Sequence, residues 1–487
     1  MAGSLLAFFT LMDNQDGIIV KGKSAAHSSP PTSRPPLSDS LHLDVKMSAI
    51  DLTLRADPPK FDLELYIQNY KGRTRFDRLF LIGRSSVPLC VDALKAAITE
   101  AKRGKDAHRY REAVECLRVA APSEPEATFD QAWLEALEAA NLLETSRLLT
   151  ELKGYKNNLI KESIRMGNED LGKHLESIGD LNAAAETYSK MRPDVSTPKQ
   201  FLDVGKHLVR VSIQRREWGM VSAHLSKMGG AQHAEEEKTV QPYLKIAQGI
   251  ALLGQDRFRD AALSFLSADS SIAASTYSEI ASQNDIAVYG GLLALASMDR
   301  NELQSKVLDN SQFRTFLEQA PHIRRAVTQF VSGRYSACIA ILESYRPDYL
   351  LDIYLQKHVA AIYFQIRSKC IVQYLIPFSC VSLDTMNQAF GGPVQGIEDE
   401  LSDMIQSGAL EARINTIDKL VTTKAANPRA KMQESALRAA ENYEKQALDR
   451  LRRMGLAAAE LELKGGKKMG AFPSSQGDFL SEESLEL

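Results

Sequence analysis

Apolar residues along most of this chain recur at steps of three and four positions, which is the spacing of an amphipathic α-helix. The pattern starts at Phe61 and is clear again over residues 89–98. Alternation of apolar and polar residues, which predicts β-strands, is almost absent before residue 409. Proline and polar residues interrupt the helical pattern at 122–128, so this stretch is interpreted as a loop. The bulk of the chain is predicted to be α-helical.

Residues 170–191 have the pattern of a tetratricopeptide-like helical hairpin, in which small residues let two antiparallel helices approach closely. Further copies occur at 248–268 and 330–342, and the equivalent small residues Ala184, Ala261 and Cys338 are separated by 77 positions each time. Stacked hairpins form a solenoid whose long surfaces typically bind other proteins. The predicted packing residues are Leu171, Gly172, Leu175, Ala184, Tyr188, Gly249, Ala261 and Phe265.

Residues 368–424 follow a different order, with three short helices and then two strand-like runs, ALEARI and DKLVTT. This is the order of a winged helix, whose third helix would lie in the major groove if it bound DNA. That helix carries Glu398, Asp399, Glu400 and Asp403 without Lys or Arg, and residues 383–424 contain seven acidic and three basic side chains. Because DNA phosphates repel this charge, direct nucleic-acid binding is the less favoured alternative.

The strand-like runs and the helix after Pro428 are candidate subunit interfaces. A short β-hairpin has a free edge that can join the sheet of a neighbouring chain, unless its side chains cover the domain's own helices. The residues assigned to this edge are Leu410, Ile414, Leu420 and Val421. The long helix that follows has an apolar seam close to heptad spacing, which predicts a partner helix. The seam residues are Leu437, Ala440, Tyr443, Ala447, Leu451 and Met454.

Charge and cysteine content exclude several classes of protein. The formal net charge of −3 gives no overall basic field to attract nucleic acid or anionic lipid. The five cysteines are widely spaced and lack a C-x-x-C pair, which argues against a disulfide framework or a zinc site and favours a reducing compartment. The apolar run SLLAFFTLM near the start is too short to span a bilayer and has no preceding basic residue, so no membrane association is expected.

Residues 17–24 match the phosphate-loop pattern, with Gly17, Gly22, Lys23 and Ser24 in the required places. A phosphate loop needs a helix directly after it, because the helix N-terminus helps to hold the phosphates. The residues that follow Ser24 contain paired prolines, which cannot continue a helix. A nucleotide hydrolase is therefore not predicted.

These patterns divide the chain into six segments and predict an all-α solenoid followed by a winged-helix domain and a C-terminal helix. The segments are a disordered tail over 1–58, a helical region over 59–155, a tetratricopeptide-like repeat arm over 156–348, the winged-helix domain over 349–426, a C-terminal bundle helix over 427–464 and an acidic flexible tail over 465–487.

A solenoid, a winged helix and a terminal helix in this order resemble the layout of PCI-domain proteins, which are scaffold subunits of the proteasome lid, the COP9 signalosome and a translation initiation complex. The similarity extends from Phe61 to Gly465 and is carried by FDLELYIQNYKGRTRFDRLFLIG (61–83), YKNNLIKESIRMGNEDLGKHLESIGDL (155–181), NDIAVYGGLLALASMDRNELQSKVLDNSQFRTFLE (284–318) and IEDELSDMIQSGALEARI (397–414). Together these segments are most similar to the signalosome branch. The paralogous lid subunit of the 26S proteasome shares the last two in outline and is the alternative.

The resemblance implies a non-catalytic scaffold in a complex that removes the ubiquitin-like protein Nedd8 from cullins. Its partners would be other PCI-domain and MPN-domain subunits, and its substrates cullin-RING ligases. Winged helices would pair edge to edge, terminal helices would join a common bundle, and the N-terminal arm would reach toward the ligases. Catalysis in such complexes belongs to a zinc metalloprotease subunit with an H-x-H motif, which this chain lacks. We therefore expect no catalytic residue, metal or cofactor here, and a location in cytoplasm and nucleus.

Overall fold

The computed structural model describes residues 58–229, 234–269, 276–391, 396–423 and 428–459. The chain divides into two compact units, residues 1–410 and residues 411–487. The phosphate-loop-like stretch, the apolar run near the start and the predicted acidic tail lie outside the described residues.

The first unit begins with four helices that share one core. They are α1 (Leu63–Gln68), α2 (Arg73–Ser85), α3 (Cys90–Arg103) and α4 (Ala107–Ala120). Asp62 and Asp106 accept hydrogen bonds from the free N–H groups at the starts of α1 and α4, which stabilises both helix ends. Within 122–128, the predicted loop, Pro125–Ala127 form a short 3₁₀ turn.

The repeat arm follows as a series of antiparallel helices. Its elements are α5 (Gln131–Asn158), α6 (Lys161–Ile178), α7 (Leu181–Lys190), a 3₁₀ turn (Arg192–Asp194), α8 (Pro198–Gln214), α9 (Trp218–Gly229), α10 (Ala234–Leu253), α11 (Phe258–Leu266), α12 (Gln283–Ser297), α13 (Arg300–Leu303) with a π-helical turn (Gln304–Leu308), α14 (Ser311–Gln319), α15 (Pro321–Val331) and α16 (Tyr335–Leu350).

Two of the helical hairpins are held by the same contact between a glycine and an aromatic ring. A Cβ atom on Gly172 would lie 2.5 Å from the ring of Tyr188, and one on Gly249 would lie 2.7 Å from the ring of Phe265. The absence of a side chain therefore lets α6 approach α7, and α10 approach α11, at ring-contact distance. The other predicted packing residues are buried in the same hairpins: Leu171, Leu175, Ala184 and Ala261.

Four hairpin turns share one backbone geometry. In each, a residue with a left-handed φ angle follows one to three positions after the first helix, and the next N–H donates to the carbonyl five positions earlier. The left-handed residues are Gly179, Arg216, Asp256 and Gly333. A fully buried residue follows five positions later in the second helix, namely Ala184, Val221, Ala261 and Cys338. The turn thus fixes the register at which the two helices of each hairpin meet.

Beyond the arm, the first unit contains α17 (Val359–Leu375), a short strand β1 (Cys380–Ser382), α18 (Leu383–Phe390) and α19 (Ile397–Gln406). Lys369 on α17 attaches this part to the arm. Its Nζ donates to the carbonyl oxygen of Leu295 at 2.8 Å and to that of Met298, at the C-terminal end of α12. A cation at this position donates hydrogen bonds to carbonyl groups that have no partner within the helix. Its charge also interacts favourably with the negative end of the helix dipole. Burial lowers the pKa of Lys369 to about 8.

The second unit contains a β-hairpin and a long helix: β2 (Ala412–Asn415), β3 (Leu420–Thr423) and α20 (Pro428–Ala458). The strands pair antiparallel, with Ile414 opposite Val421. Asn415 begins the turn, because its side-chain oxygen accepts from the N–H groups of Ile417 and Asp418. The structure thus has the predicted order of three helices followed by a hairpin.

Candidate assembly surfaces

The long helix α20 presents an apolar stripe to solvent. Leu437 and Tyr443 are 66% and 75% exposed, and Leu451 and Met454 are also exposed. Ala440 is exposed and Ala447 is half-buried. Within the described part of the second unit nothing packs over this stripe, although a contiguous apolar stripe is normally buried against a partner. The six predicted seam residues therefore lie on one largely open face of a helix.

The β-hairpin offers backbone edge more than side-chain surface. Leu410 and Val421 are buried within this chain, so these two side chains are not available to a partner. Ile414 and Leu420 are half-buried. Among the described strands β2 pairs only with β3, so the other edge of β2 has free N–H and C=O groups. Ile417, at the tip of the turn, is 90% exposed.

Helix α19, which would read DNA in a nucleic-acid-binding winged helix, begins with three acidic residues. Glu398, Asp399 and Glu400 lie in its first turn, where negative charge complements the helix dipole. Glu400 also accepts from the guanidinium of Arg367 on α17, with the Arg367 Nε 2.8 Å from Glu400 Oε1. These acids therefore have structural roles at the helix start, and they present negative charge where a DNA reader needs cations.

A buried ion network that the sequence reasoning missed joins α2 to the arm. Arg78 is fully buried, with one guanidinium nitrogen 2.9 Å from Asp285 and the other 2.6 Å from Asp352. The hydroxyl of Tyr70 donates to Asp285, and that of Tyr289 donates to Asp352, each at 2.7 Å. Burial holds the pKa of both phenols well above the usual value, so both remain donors.

Further hydrogen bonds attach other residues of α2 to the arm. Arg73 donates to the carbonyl of Glu176 at the end of α6 at 2.9 Å, and the hydroxyl of Thr74 donates to the carbonyl of Glu279 just before α12 at 2.5 Å. Part of the arm surface is therefore already occupied by the chain's own N-terminal helices. The repeat pattern does not predict this, because the solenoid was expected to leave its long surfaces open.

The signal that could have revealed the network is a charged residue on an apolar helix face. Arg78 lies between Phe76 and Leu79, both of which are buried. A buried arginine requires carboxylate partners. Those partners are 207 and 274 positions away, so the sequence indicates only that an acid is needed and not which one.

The described residues contain no group of three or more His, Cys, Asp or Glu side chains placed to hold a metal ion. All five cysteines are free thiols, four of them buried and Cys380 exposed. No helix within the described ranges is both long and apolar enough to cross a membrane.

Two families match parts of the chain. Residues 130–306 match the family described as 26S proteasome subunit RPN7, and residues 342–425 match the PCI domain. The first range contains most of the repeat arm. The second starts within α16 and includes the hairpin β2–β3. With the observed order of elements, these matches confirm the predicted fold class, a helical solenoid followed by a PCI domain.

Full-length relatives separate the two branches of the family. The COP9 signalosome complex subunit 1 of Neurospora crassa is 57% identical over 418 residues, which is 86% of this chain and 95% of the relative. The subunit of the same name from Emericella nidulans is 47% identical over 434 residues, 86% of each chain. By contrast, the 26S proteasome non-ATPase regulatory subunit 6 of Oryza sativa subsp. japonica is 24% identical over 61% of this chain and 79% of its own length.

Proposed function

The chain belongs to the COP9 signalosome subunit 1 family of PCI-domain proteins, and we propose that it is a scaffold subunit of a complex that removes Nedd8 from cullin-RING ubiquitin ligases. Subunits of this PCI-domain kind are non-catalytic. In this proposal the zinc metalloprotease activity lies in another subunit, and this chain contributes binding surfaces. The identity of 57% over most of the chain is the observation that carries the assignment.

The exposed stripe of α20 supports a role in assembly. A helix of 31 residues whose large apolar side chains lie in water is a costly feature for a chain that acts alone. Its near-heptad spacing fits the seam of a helical bundle. In the proposed complex, α20 packs against the terminal helices of the other PCI-domain and MPN-domain subunits.

The free edge of β2 supports a second mode of assembly. Backbone N–H and C=O groups on an edge strand can extend a sheet into a neighbouring chain without requiring particular side chains. We propose that the PCI domains of adjacent subunits pair through such edges. The N-terminal arm then extends toward the cullin ligases, and the complex acts in cytoplasm and nucleus.

Removal of residues 428–487 tests the assembly proposal. The truncated chain and the full-length chain are each expressed with an affinity tag in the native organism, and co-purified proteins are identified by mass spectrometry. We expect the full-length chain to recover signalosome subunits and the truncated chain to lose them, because α20 is absent. A control lacking only residues 465–487 should recover the complex as well as the full-length chain does.

Two results of the same pull-down contradict the proposal. One is undiminished recovery of the complex by the chain without α20. The other is recovery of proteasome lid subunits in place of signalosome subunits, which would favour the alternative that the match of residues 130–306 to the proteasome subunit family raises.

A further inference from the structure

The first unit contains a cleft whose lining residues and chemistry differ from those of the assembly surfaces. It has a volume of about 490 Å³ and lies where α2, the α8–α9 turn, the end of α10 and the segment after α16 meet. This volume is within the range of pockets that enclose a ligand or an anchoring side chain. Neither the seam of α20 nor the edge of β2 contributes to it.

The floor of the cleft is aromatic and firmly packed. Trp218 lies flat against Gly254, where a Cβ atom would be 2.4 Å from the indole ring. Tyr354 is buried and meets Trp218 edge to face, with ring centroids 6.3 Å apart. Phe80 on α2 completes the aromatic lining. Rings held in this way provide a preorganised surface for another aromatic or aliphatic side chain.

The rim of the cleft carries an excess of cations. Arg84, Arg216 and Lys357 line it, and none of the three forms an ion pair with a described carboxylate. Of the two acids in the lining, Asp77 is paired with a cation and Asp256 with a histidine, so cations still outnumber the remaining negative charge. Asp77 is 2.7 Å from the guanidinium of Arg109, and Asp256 is 2.9 Å from the ring nitrogen of His358.

Arg216 is fixed in position by the floor. One of its nitrogens donates to the carbonyl of Ile353 at 3.0 Å, and its guanidinium carbon is 5.2 Å from the ring centroid of Tyr354. A guanidinium held by a stacked ring and one carbonyl still has N–H groups to offer to a carboxylate. Arginine, tryptophan and tyrosine are also the residues that most often dominate binding energy at protein interfaces.

From these features we propose that the cleft is a docking site for an acidic peptide segment of a partner protein, with one aromatic or large aliphatic side chain as its anchor. The anchor lies on Trp218 and Tyr354, while acidic residues on either side of it meet Arg84, Arg216 and Lys357. The cations come from three separate elements around the floor. This placement suits carboxylates spaced along a peptide better than one compact anion.

Selection of peptides on the purified full-length chain tests this proposal. A phage library of random 12-residue peptides is panned against the wild-type chain and against the Arg84→Glu/Arg216→Glu variant. We expect the wild-type chain to enrich sequences in which an aromatic or leucine residue is flanked by Asp or Glu. Synthetic, fluorescently labelled forms of the enriched peptides should bind the charge-reversed variant about tenfold or more weakly by fluorescence anisotropy.

The cleft also contains its own reporter. The chain has two tryptophans, so a Trp133→Phe background leaves Trp218 as the only source of tryptophan emission. Peptide binding should shift this emission, and replacing the anchor residue of the peptide by alanine should abolish the shift. Arg118→Glu, which reverses an exposed arginine on α4 outside the cleft, is the matched control and should bind as the wild-type chain does.

Three outcomes would overturn the proposal. They are failure to enrich any acidic consensus on the wild-type chain, equal binding of the enriched peptides by the charge-reversed variant, and complete competition by inorganic phosphate with no dependence on the anchor residue. Circular dichroism and thermal melting of every variant separate loss of binding from loss of folding.

Discussion

Arg78 holds the N-terminal helices of the first unit against the repeat arm. Replacing it by alanine leaves Asp285 and Asp352 buried without a cation, and removal of one partner of a buried ion network typically costs about 3–5 kcal/mol. We expect Arg78→Ala to lower the melting temperature and to increase amide hydrogen exchange in α1 and α2, because those helices lose their attachment to the arm. Hydrogen-exchange mass spectrometry measures this directly.

Arg111→Ala is the control for Arg78→Ala. Arg111 pairs with Glu138 at the surface, and such exposed pairs contribute at most about 1 kcal/mol. Adding Asp285→Asn and Asp352→Asn to Arg78→Met removes the uncompensated charge and should restore part of the lost protection. Unchanged exchange of α1 and α2 in Arg78→Ala would show that the network does not hold these helices.

His224, which is buried, and His207, which is partly buried, make stability depend on pH. Desolvation, together with nearby Arg210, lowers the pKa of His207 to about 4, and desolvation with nearby Arg192 does the same for His224. Each ring accepts a hydrogen bond from its arginine at Nδ1, which only the neutral ring can do. The unfolded chain binds these protons near pH 6.5, so this contribution is complete above pH 6.5 and is lost as pH falls toward 4.

Melting temperatures measured between pH 4 and 7 test the histidine prediction. We expect the melting temperature of the double variant His207→Gln/His224→Gln to fall less on acidification than that of the wild-type chain. His108→Gln, at a side chain 78% exposed on α4, should follow the wild-type curve. Identical slopes for the double variant and the wild-type chain would contradict the prediction.

The contact between a glycine and an aromatic ring in the helical hairpins predicts that a glycine-to-alanine substitution changes stability in opposite directions at two positions of the arm. Gly172→Ala forces a methyl group into the ring of Tyr188, which is held by a hydrogen bond to Glu176 and by stacking on His207. Overpacking of this kind costs about 1–3 kcal/mol. Gly154→Ala, in α5 with open space around it, should instead stabilise by about 0.5–1 kcal/mol. Thermal denaturation measures whether each variant is less or more stable than the wild-type chain. A gain in stability for Gly172→Ala would contradict the close packing of this glycine on the ring of Tyr188.

The hairpins were predictable because their cause is local. Small residues at fixed spacing permit close helix approach, and both the pattern and the contact lie within about 20 positions of chain. For the β-hairpin, the sequence predicted only part of the structure. The alternation of apolar and polar residues located β2 and β3, but it did not show that Leu410 and Val421 are buried. The attachment of α2 was not predictable, because charge compensation over 207 or more positions leaves no periodic trace. The same holds for the cleft around Trp218, which four separate segments build.

For the molecule as a whole, the open stripe of α20 predicts a separation between folding and assembly. Replacing Leu437, Tyr443 and Leu451 by glutamine should leave the stability of the purified chain within about 0.5 kcal/mol per site, because these side chains are already exposed. Incorporation into the complex should be lost, as judged by affinity purification. The matched control is Arg438→Gln/Lys445→Gln/Arg452→Gln, on the side of the same helix away from the seam, which should still assemble. Assembly of both variants would contradict a bundle role for the seam.

The pairing of Arg78 with Asp352 also sets an order of events during synthesis. The aspartate is translated 274 positions after the arginine. At about 5–20 residues per second, Arg78 is synthesised roughly 14–55 seconds before this carboxylate exists. The nascent chain can build its hairpins one after another in that interval, but α2 cannot complete its docking. A ribosome that stalls before residue 285 therefore yields a product in which neither carboxylate partner of Arg78 has yet been made.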